Sequence, residues 1–320
     1  MGSYAWFCRL GLGLAVLLLL FGLTLGAGAS EESAVELRAE RIARDMQLIH
    51  AAEYERQGPL GMGRLWAKLA ADYEDSGEWA RSEAAYNRAL QILEKVPEGI
   101  LEYSAALDNL GSLYLSQGNL DAAEACRKRS YALREKSGDA LAIARGKWML
   151  AEIDLGRQRF KDAQKKASEA YATMVALNDP LVRELVATLA MLSYVDCKIN
   201  ECALGVEAGR EAKRLALAGL PVDDLLLGET LMALGYAEWK AGMKDGPDED
   251  MREGVRILRE RATPGHPYLL SALTLYSDYL RGSNRTAEAE ALVKEKESVR
   301  VASTNACTNC TVSVQSLRER

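Results

Sequence analysis

Six cysteines, two histidines and scattered carboxylates are the side chains of this sequence that could do chemistry. Cys307-Thr308-Asn309-Cys310 is a C-x-x-C. Redox enzymes place that motif at a helix start within a βαβ unit, and no such unit surrounds it here. No His follows Cys310, so haem attachment is not indicated. Two sulfurs alone do not complete a zinc site. The pattern leaves a local disulfide or two exposed thiols. Cys197 and Cys202 flank a turn and form a second pair, bridged or free according to the distance between their Cα atoms. Cys126 falls on a helix and Cys8 in the leader. Beyond position 29 five cysteines remain, so an oxidising compartment would leave at least one thiol unpaired.

His50 and His266 stand far apart in polar and turn contexts, and no Ser-His-Asp or Cys-His arrangement has a suggestive spacing. Gly58, Gly61 and Gly63 flank Pro and Met with no strand before them, unlike a phosphate-binding loop. The acidic run Asp245 to Asp250 lacks the alternating ligands and fixed Gly of a calcium loop, and reads as solvated loop. Asn284-Arg285-Thr286 and Asn309-Cys310-Thr311 are formal glycosylation sequons. No catalytic residue, metal or cofactor is expected.

The first 29 residues contain one base, Arg9, and no acid. Leu10 to Leu25 is apolar or small throughout, and Ala27-Gly28-Ala29 supplies a small-residue cleavage site. Residues 1–29 therefore read as a signal peptide. The alternative is an uncleaved anchor over 10–29, a bilayer's length. Both send the rest of the chain out of the cytoplasm, to the periplasm or beyond the cell. Without 1–29 the net charge is −7 against −6 for the whole chain, with both signs interspersed. That balance gives no footprint for nucleic acid and no basic patch for anionic lipid. Membrane contact is expected only through an uncleaved leader.

The elements that would position these residues are helical. Ala and Leu dominate, aromatics are 7%, and only Thr311 to Leu317 alternates like a strand. A two-helix pattern recurs about every 41 residues from Trp66 to Glu297. Its anchors are the small residues Ala70, Gly111, Ala151, Ala190, Gly235 and Ser277, in steps of 41, 40, 39, 45 and 42. Twelve and nineteen residues beyond the first four anchors stand Ser82 and Ala89, Ala123 and Ser130, Ala163 and Ala170, Cys202 and Gly209. Every one is small, as closely crossing helices require. In the fifth copy, Lys244 to Asp248 reads as an insertion that breaks the register of the second helix.

In the first copy Trp66, Leu69, Ala70 and Tyr73 line one face, with Gly77 at the turn and Tyr86 and Ala89 on the return helix. Leu107, Leu110, Gly111, Tyr114, Gly118, Leu120 and Ala123 fill the same slots in the second. This W-x2-L-G-x2-Y pattern, then Gly, then A-x3-F/Y, resembles the tetratricopeptide repeat. The spacing is about seven residues longer than the usual 34. It resembles the kinesin-light-chain type, as does Gly265-His266-Pro267 before the sixth copy.

The resemblance implies an all-α superhelical solenoid of stacked helix pairs, organised as a leader at 1–29, a capping helix at 30–58, the solenoid at 59–300 and a Cys-containing tail at 301–320. It also implies a concave binding groove formed by the first helices. Carried over slot by slot, the groove includes Asp108, Asn109, Ser112, Trp148, Glu152, Tyr194, Tyr236, Trp239, Asp278 and Arg281. The rings among them either anchor a ligand or pack between repeats. The expected function is an exported, non-catalytic scaffold for a peptide or protein partner. A thiol or metal module on Cys307 and Cys310, or a self-associating structural protein, is the alternative.

Overall fold

The computed structural model describes residues 36–51, 58–177, 182–262 and 266–308. The expected leader, Cys8, the side chain of Cys307, and Cys310 lie outside the described residues. All regular structure among the described residues is helical. Helix α1 (36–51) precedes six antiparallel pairs: α2 (Pro59–Asp75) with α3 (Trp79–Leu93), α4 (Ile100–Ser116) with α5 (Leu120–Ser137), and α6 (Ala140–Gly156) with α7 (Phe160–Ala176). Then come α8 (Val182–Lys198) with α9 (Cys202–Gly219), α10 (Leu225–Lys240) with α11 (Pro247–Arg261), and α12 (Pro267–Gly282) with α13 (Thr286–Thr308). Each pair packs on the next to form a right-through stack of six. Helix α13 continues through Thr308, into the expected tail.

Small residues set the crossings. Ala70, Ala151, Ser82, Ala89, Ala123, Ser130, Ala163 and Ala170 are all fully buried. Helices stack this closely only because no larger side chain stands between them. The fourth copy departs from the expected anchor. Its equivalent of Ala151 is Ser193, not Ala190, and its small partners are Gly205 and Ala212, not Cys202 and Gly209. A Cβ on Gly205 would lie 2.6 Å from the Ser193 carbonyl oxygen, so these two backbones touch.

The turns fix this register independently. Seven residues past each corrected anchor stand Gly77, Gly118, Gln158, Asn200, Gly242 and Asn284, and all six adopt positive φ of 59–77°. In every pair the next residue donates its N–H five residues back: Glu78 to Tyr73, Asn119 to Tyr114, Arg159 to Asp154, Glu201 to Asp196, Met243 to Glu238 and Arg285 to Leu280, at 2.8–3.0 Å. This is the left-handed cap that closes a helix by satisfying its last carbonyls. Ala190 is itself small and buried, so size alone does not separate it from Ser193.

The fifth copy keeps its register, contrary to the expected break. Pro247 and Gly254 occupy the two small slots, twelve and nineteen past Gly235, and both are buried. No residue has been added. The first turn of the return helix is unwound, Gly246 sits at φ 104°, and α11 starts late at Pro247. Nor is the acidic run free loop. Asp248 accepts from the Tyr276 hydroxyl (3.0 Å) and Arg285 (2.5 Å), while buried Asp250 accepts from Lys213 (2.5 Å), tying α11 to its neighbours.

Helix α1 covers the first pair. Ile49 is buried and Ile42 packs beside it on the core of α2–α4. Asp45, fully buried, accepts from Lys68, and Arg41 pairs with Asp72 at 3.2 Å.

Candidate functional site

The first helices contribute two unlike surfaces, one polar in copies two and three, one aromatic in copies four to six. At the polar end Asp108 is 1% exposed. It faces the joint between repeats, where Arg134 binds it directly and Arg127 approaches to 3.8 Å. Burial pushes the Asp108 carboxyl above the usual range, against the pull of both arginines. Arg127 comes from the outer helix α5 and crosses the stack. Its Nη2 donates to Ser112 (2.8 Å) and Glu152 (3.1 Å) on the inner helices. Gly111 makes room, since a Cβ there would stand 3.2 Å from Arg127 Nε. Asn109 and Ser112 are exposed.

Glu152 also acts beyond its own joint. Burial, then the charges of Glu152 and Asp224, raise the Glu229 carboxyl of α10 to about 8, with Arg183 opposing. The Tyr268 phenol at the start of α12 is pushed up by Glu229 first, then by burial and by Glu152, with Arg127 opposing.

At the aromatic end, Tyr194 of α8 and Tyr236 of α10 have ring centroids 4.9 Å apart. Tyr236 meets Trp239 at 6.3 Å, and Trp239 meets Tyr279 of α12 edge-on at 5.8 Å. Such tilted and edge-on geometries are the favoured ones for aromatic pairs. Three successive inner helices thus carry one ladder of rings. Tyr236 is mostly buried, while Tyr194, Trp239 and Tyr279 are half-exposed. Lys198 Nζ lies 5.1 Å from the Tyr194 centroid and 5.4 Å from that of Tyr236, and Lys240 Nζ lies 3.7 Å over Trp239. Burial tends to lower the Lys198 ammonium's pKa, but the Tyr194 and Tyr236 phenols beside it outweigh that, and the net direction is up.

The remaining expected positions are scattered. Trp148 is half-buried against the cores of the third and fourth copies, its Nε1 without a partner. Asp278 and Arg281 are exposed and pair with each other at 3.1 Å. Cys197 and Cys202 form a disulfide that staples the α8–α9 turn beside Lys198, with Cα atoms 4.1 Å apart. Cys126 is a free, half-buried thiol whose pKa burial raises. His266 caps α12, its Nδ1 accepting from the Tyr268 N–H at 3.2 Å. Among the described residues no group of three or more His, Cys, Asp or Glu side chains could hold a metal ion.

Sequence reasoning missed Lys198, Tyr279, Arg127 and Glu229. The signal for Lys198 was present. Tyr194-Val-Asp-Cys-Lys198 and Tyr236-Ala-Glu-Trp-Lys240 repeat a Tyr-x-acid-x-Lys motif 42 residues apart. An anchor at Ala190 puts the two copies out of phase and hides it.

The tetratricopeptide repeat family model matches residues 61–136. No curated protein matches the chain in sequence. Among solved structures, the apo form of RapI is 14% identical with a TM-score of 0.64, the match covering 86% of this chain and 95% of that one. Aspartyl phosphate phosphatase F from Bacillus subtilis is 13% identical with a TM-score of 0.65, covering 82% of this chain and 68% of that one. The Rap conjugation gene regulator of plasmid pLS20, in complex with the Phr* peptide, is 13% identical with a TM-score of 0.66, covering 85% and 71%. At these identities the likeness is one of fold. With a helix pair of that family matched in sequence over residues 61–136 and the same kind of pair stacked six times among the described residues, the chain has the fold of the tetratricopeptide repeat proteins.

Proposed function

We propose that this chain is an exported, non-catalytic interaction scaffold whose inner wall in copies four to six takes an extended peptide segment of a partner protein. One observation carries the reading: the continuous ladder Tyr194–Tyr236–Trp239–Tyr279 on three consecutive inner helices. Rings held rigidly by their neighbours bury large area at low entropic cost, which is why they dominate binding hot spots. The pLS20 regulator, a protein of similar fold, holds a peptide. Export draws support from the apolar leader sequence and from the Cys197–Cys202 bridge, since structural disulfides persist mainly in oxidising compartments.

The test is affinity capture from an envelope extract with the native chain and with a Tyr236→Ala, Trp239→Ala variant, both checked for helicity by circular dichroism. A partner retained by the native chain and lost by the variant supports the reading. Equal retention by both overturns it. Fractionation of cells expressing the chain tests export, and a chain confined to the cytoplasm overturns that part.

A further inference from the structure

The aromatic ladder carries two cations in equivalent places. Lys198 and Lys240 each end a Tyr-x-acid-x-Lys motif on successive inner helices. Both are exposed, and among the described residues neither forms an ion pair. Other charged groups of the inner helices are paired: Glu152 with Arg127, Asp278 with Arg281, and Arg145 with Glu184. Nor does the intervening acid of each motif neutralise its lysine. Asp196 and Glu238 point into the stack, where both are buried, and Glu238 accepts from Arg210 at 3.0 Å. On a chain of net charge −6, two adjacent ammonium groups are thus left without counter-charge.

They are also held. Lys198 Nζ stands within 5.7 Å of the rings of Phe160, Tyr194 and Tyr236. Lys240 Nζ stands within 5.7 Å of those of Tyr236 and Trp239. Cation–π contact keeps an ammonium on the ring face while leaving its outer protons free to donate. Both cations flank the one ring of Tyr236, at 5.4 and 5.7 Å from its centroid, so they are at most about 11 Å apart, the reach of about three extended residues.

From this arrangement we infer that the inner wall selects an acidic peptide: an extended segment with two side-chain carboxylates two or three residues apart, one on Lys198 and one on Lys240, with its backbone against the half-exposed rings of Tyr194 and Trp239 that Tyr236 supports from below. The inference rests on the groove reading above and adds to it the chemistry of the ligand. Charge complementarity is the argument, since two fixed, unpaired cations on an apolar platform match two anions on a chain with apolar flanks. The Cys197–Cys202 bridge holds the turn next to Lys198 and so fixes one of the two contacts.

The experiment is selection from a library of random twelve-residue peptides. Each peptide is joined to its carrier through the C-terminus, so that only side-chain carboxylates are offered. The bait is the full chain in mild detergent, because of its apolar 10–25 stretch. Parallel baits are the Lys198→Gln, Lys240→Gln double variant, the Lys198→Arg, Lys240→Arg double variant, and Tyr236→Ala. The expected survivors on the native chain are enriched in paired Asp or Glu at the stated spacing. The Arg variant keeps that bias and the Gln variant loses it, with individual survivors weakened about fivefold for each lysine removed, the scale of a partly exposed ion pair. Survivors that need Tyr236 but carry no acidic bias, or whose bias persists on the Gln variant, overturn the acidic selection and leave the groove standing. Absence of any survivor that depends on Tyr236 overturns both.

Discussion

The second and fifth helix pairs use the same three slots of the repeat for opposite physics. Three before the anchor, and sixteen and twenty-three after it, the second pair places Asp108, Arg127 and Arg134, while the fifth places Met232, Met251 and Leu258. All six side chains are buried. In the fifth pair they join a core that runs from Cys197 to Leu292. In the second they form an ionic cluster, with Asp108 Oδ1 and Arg127 Nε and Nη1 lacking hydrogen-bond partners. One backbone geometry therefore tolerates both fillings. The apolar filling gains hydrophobic free energy without geometric demands. The ionic filling costs desolvation that only well-placed partners offset. What the ionic filling adds is reach: Arg127 carries a charge from the outer helix to Ser112 and Glu152 on the inner wall.

Removing one partner from the ionic joint is the largest expected effect. Arg134→Ala leaves Asp108 buried with less compensation and should cost about 3–5 kcal/mol in chemical denaturation. Replacing all three, Asp108→Met, Arg127→Met and Arg134→Leu, imitates the fifth pair, and should recover native stability or exceed it by about 1–2 kcal/mol. A triple variant as unstable as the single would break the comparison. Met251→Ala, in the slot of Arg127, should cost about 2–4 kcal/mol by leaving a cavity.

A pH effect separates the regions next. The Glu229 carboxyl, raised to about 8 by burial with Glu152 and Asp224 adding, keeps its proton in the folded chain between the ordinary glutamate value of 4.5 and that point. The unfolded chain has released it there, so this group makes stability fall as pH rises through that window. Glu229→Gln should flatten the fall, read from denaturant midpoints between pH 5 and 8, and an unchanged slope would refute the assignment. The smallest effect expected is at Gln158, which holds φ 59° where three of the six equivalent turns use Gly. Gln158→Gly should stabilise by about 0.5–1 kcal/mol in the same assay.

Much of this was legible in the sequence because close crossings demand small residues, and small residues recur visibly at Ala70, Gly111 and Ala151. The fourth copy was misplaced because Ala190 and Ser193 are both small and both buried, one turn apart on α8. The deciding signal lay in the turn, where Asn200 takes the left-handed conformation that Gly takes at 77, 118 and 242. In the fifth copy a polar, Gly- and Pro-containing stretch looks like an insertion although the count of residues between buried slots is unchanged. Only the first helical turn is lost, and composition reports that loss without reporting the register. The aromatic wall was readable at Tyr194, Tyr236 and Trp239 because each lies on an inner helix. Arg127 was not, since a residue of the outer helix reaches the inner wall only by crossing the stack beside Gly111.

The most direct test is backbone hydrogen exchange on the full chain, with and without a peptide recovered through its Tyr236-dependent binding. The account predicts added protection in α8, α10 and α12, the helices that carry Tyr194, Tyr236, Trp239 and Tyr279, with little change in α4 and α6. Protection centred on α4 and α6, or on the outer helices, would place the ligand elsewhere and contradict it.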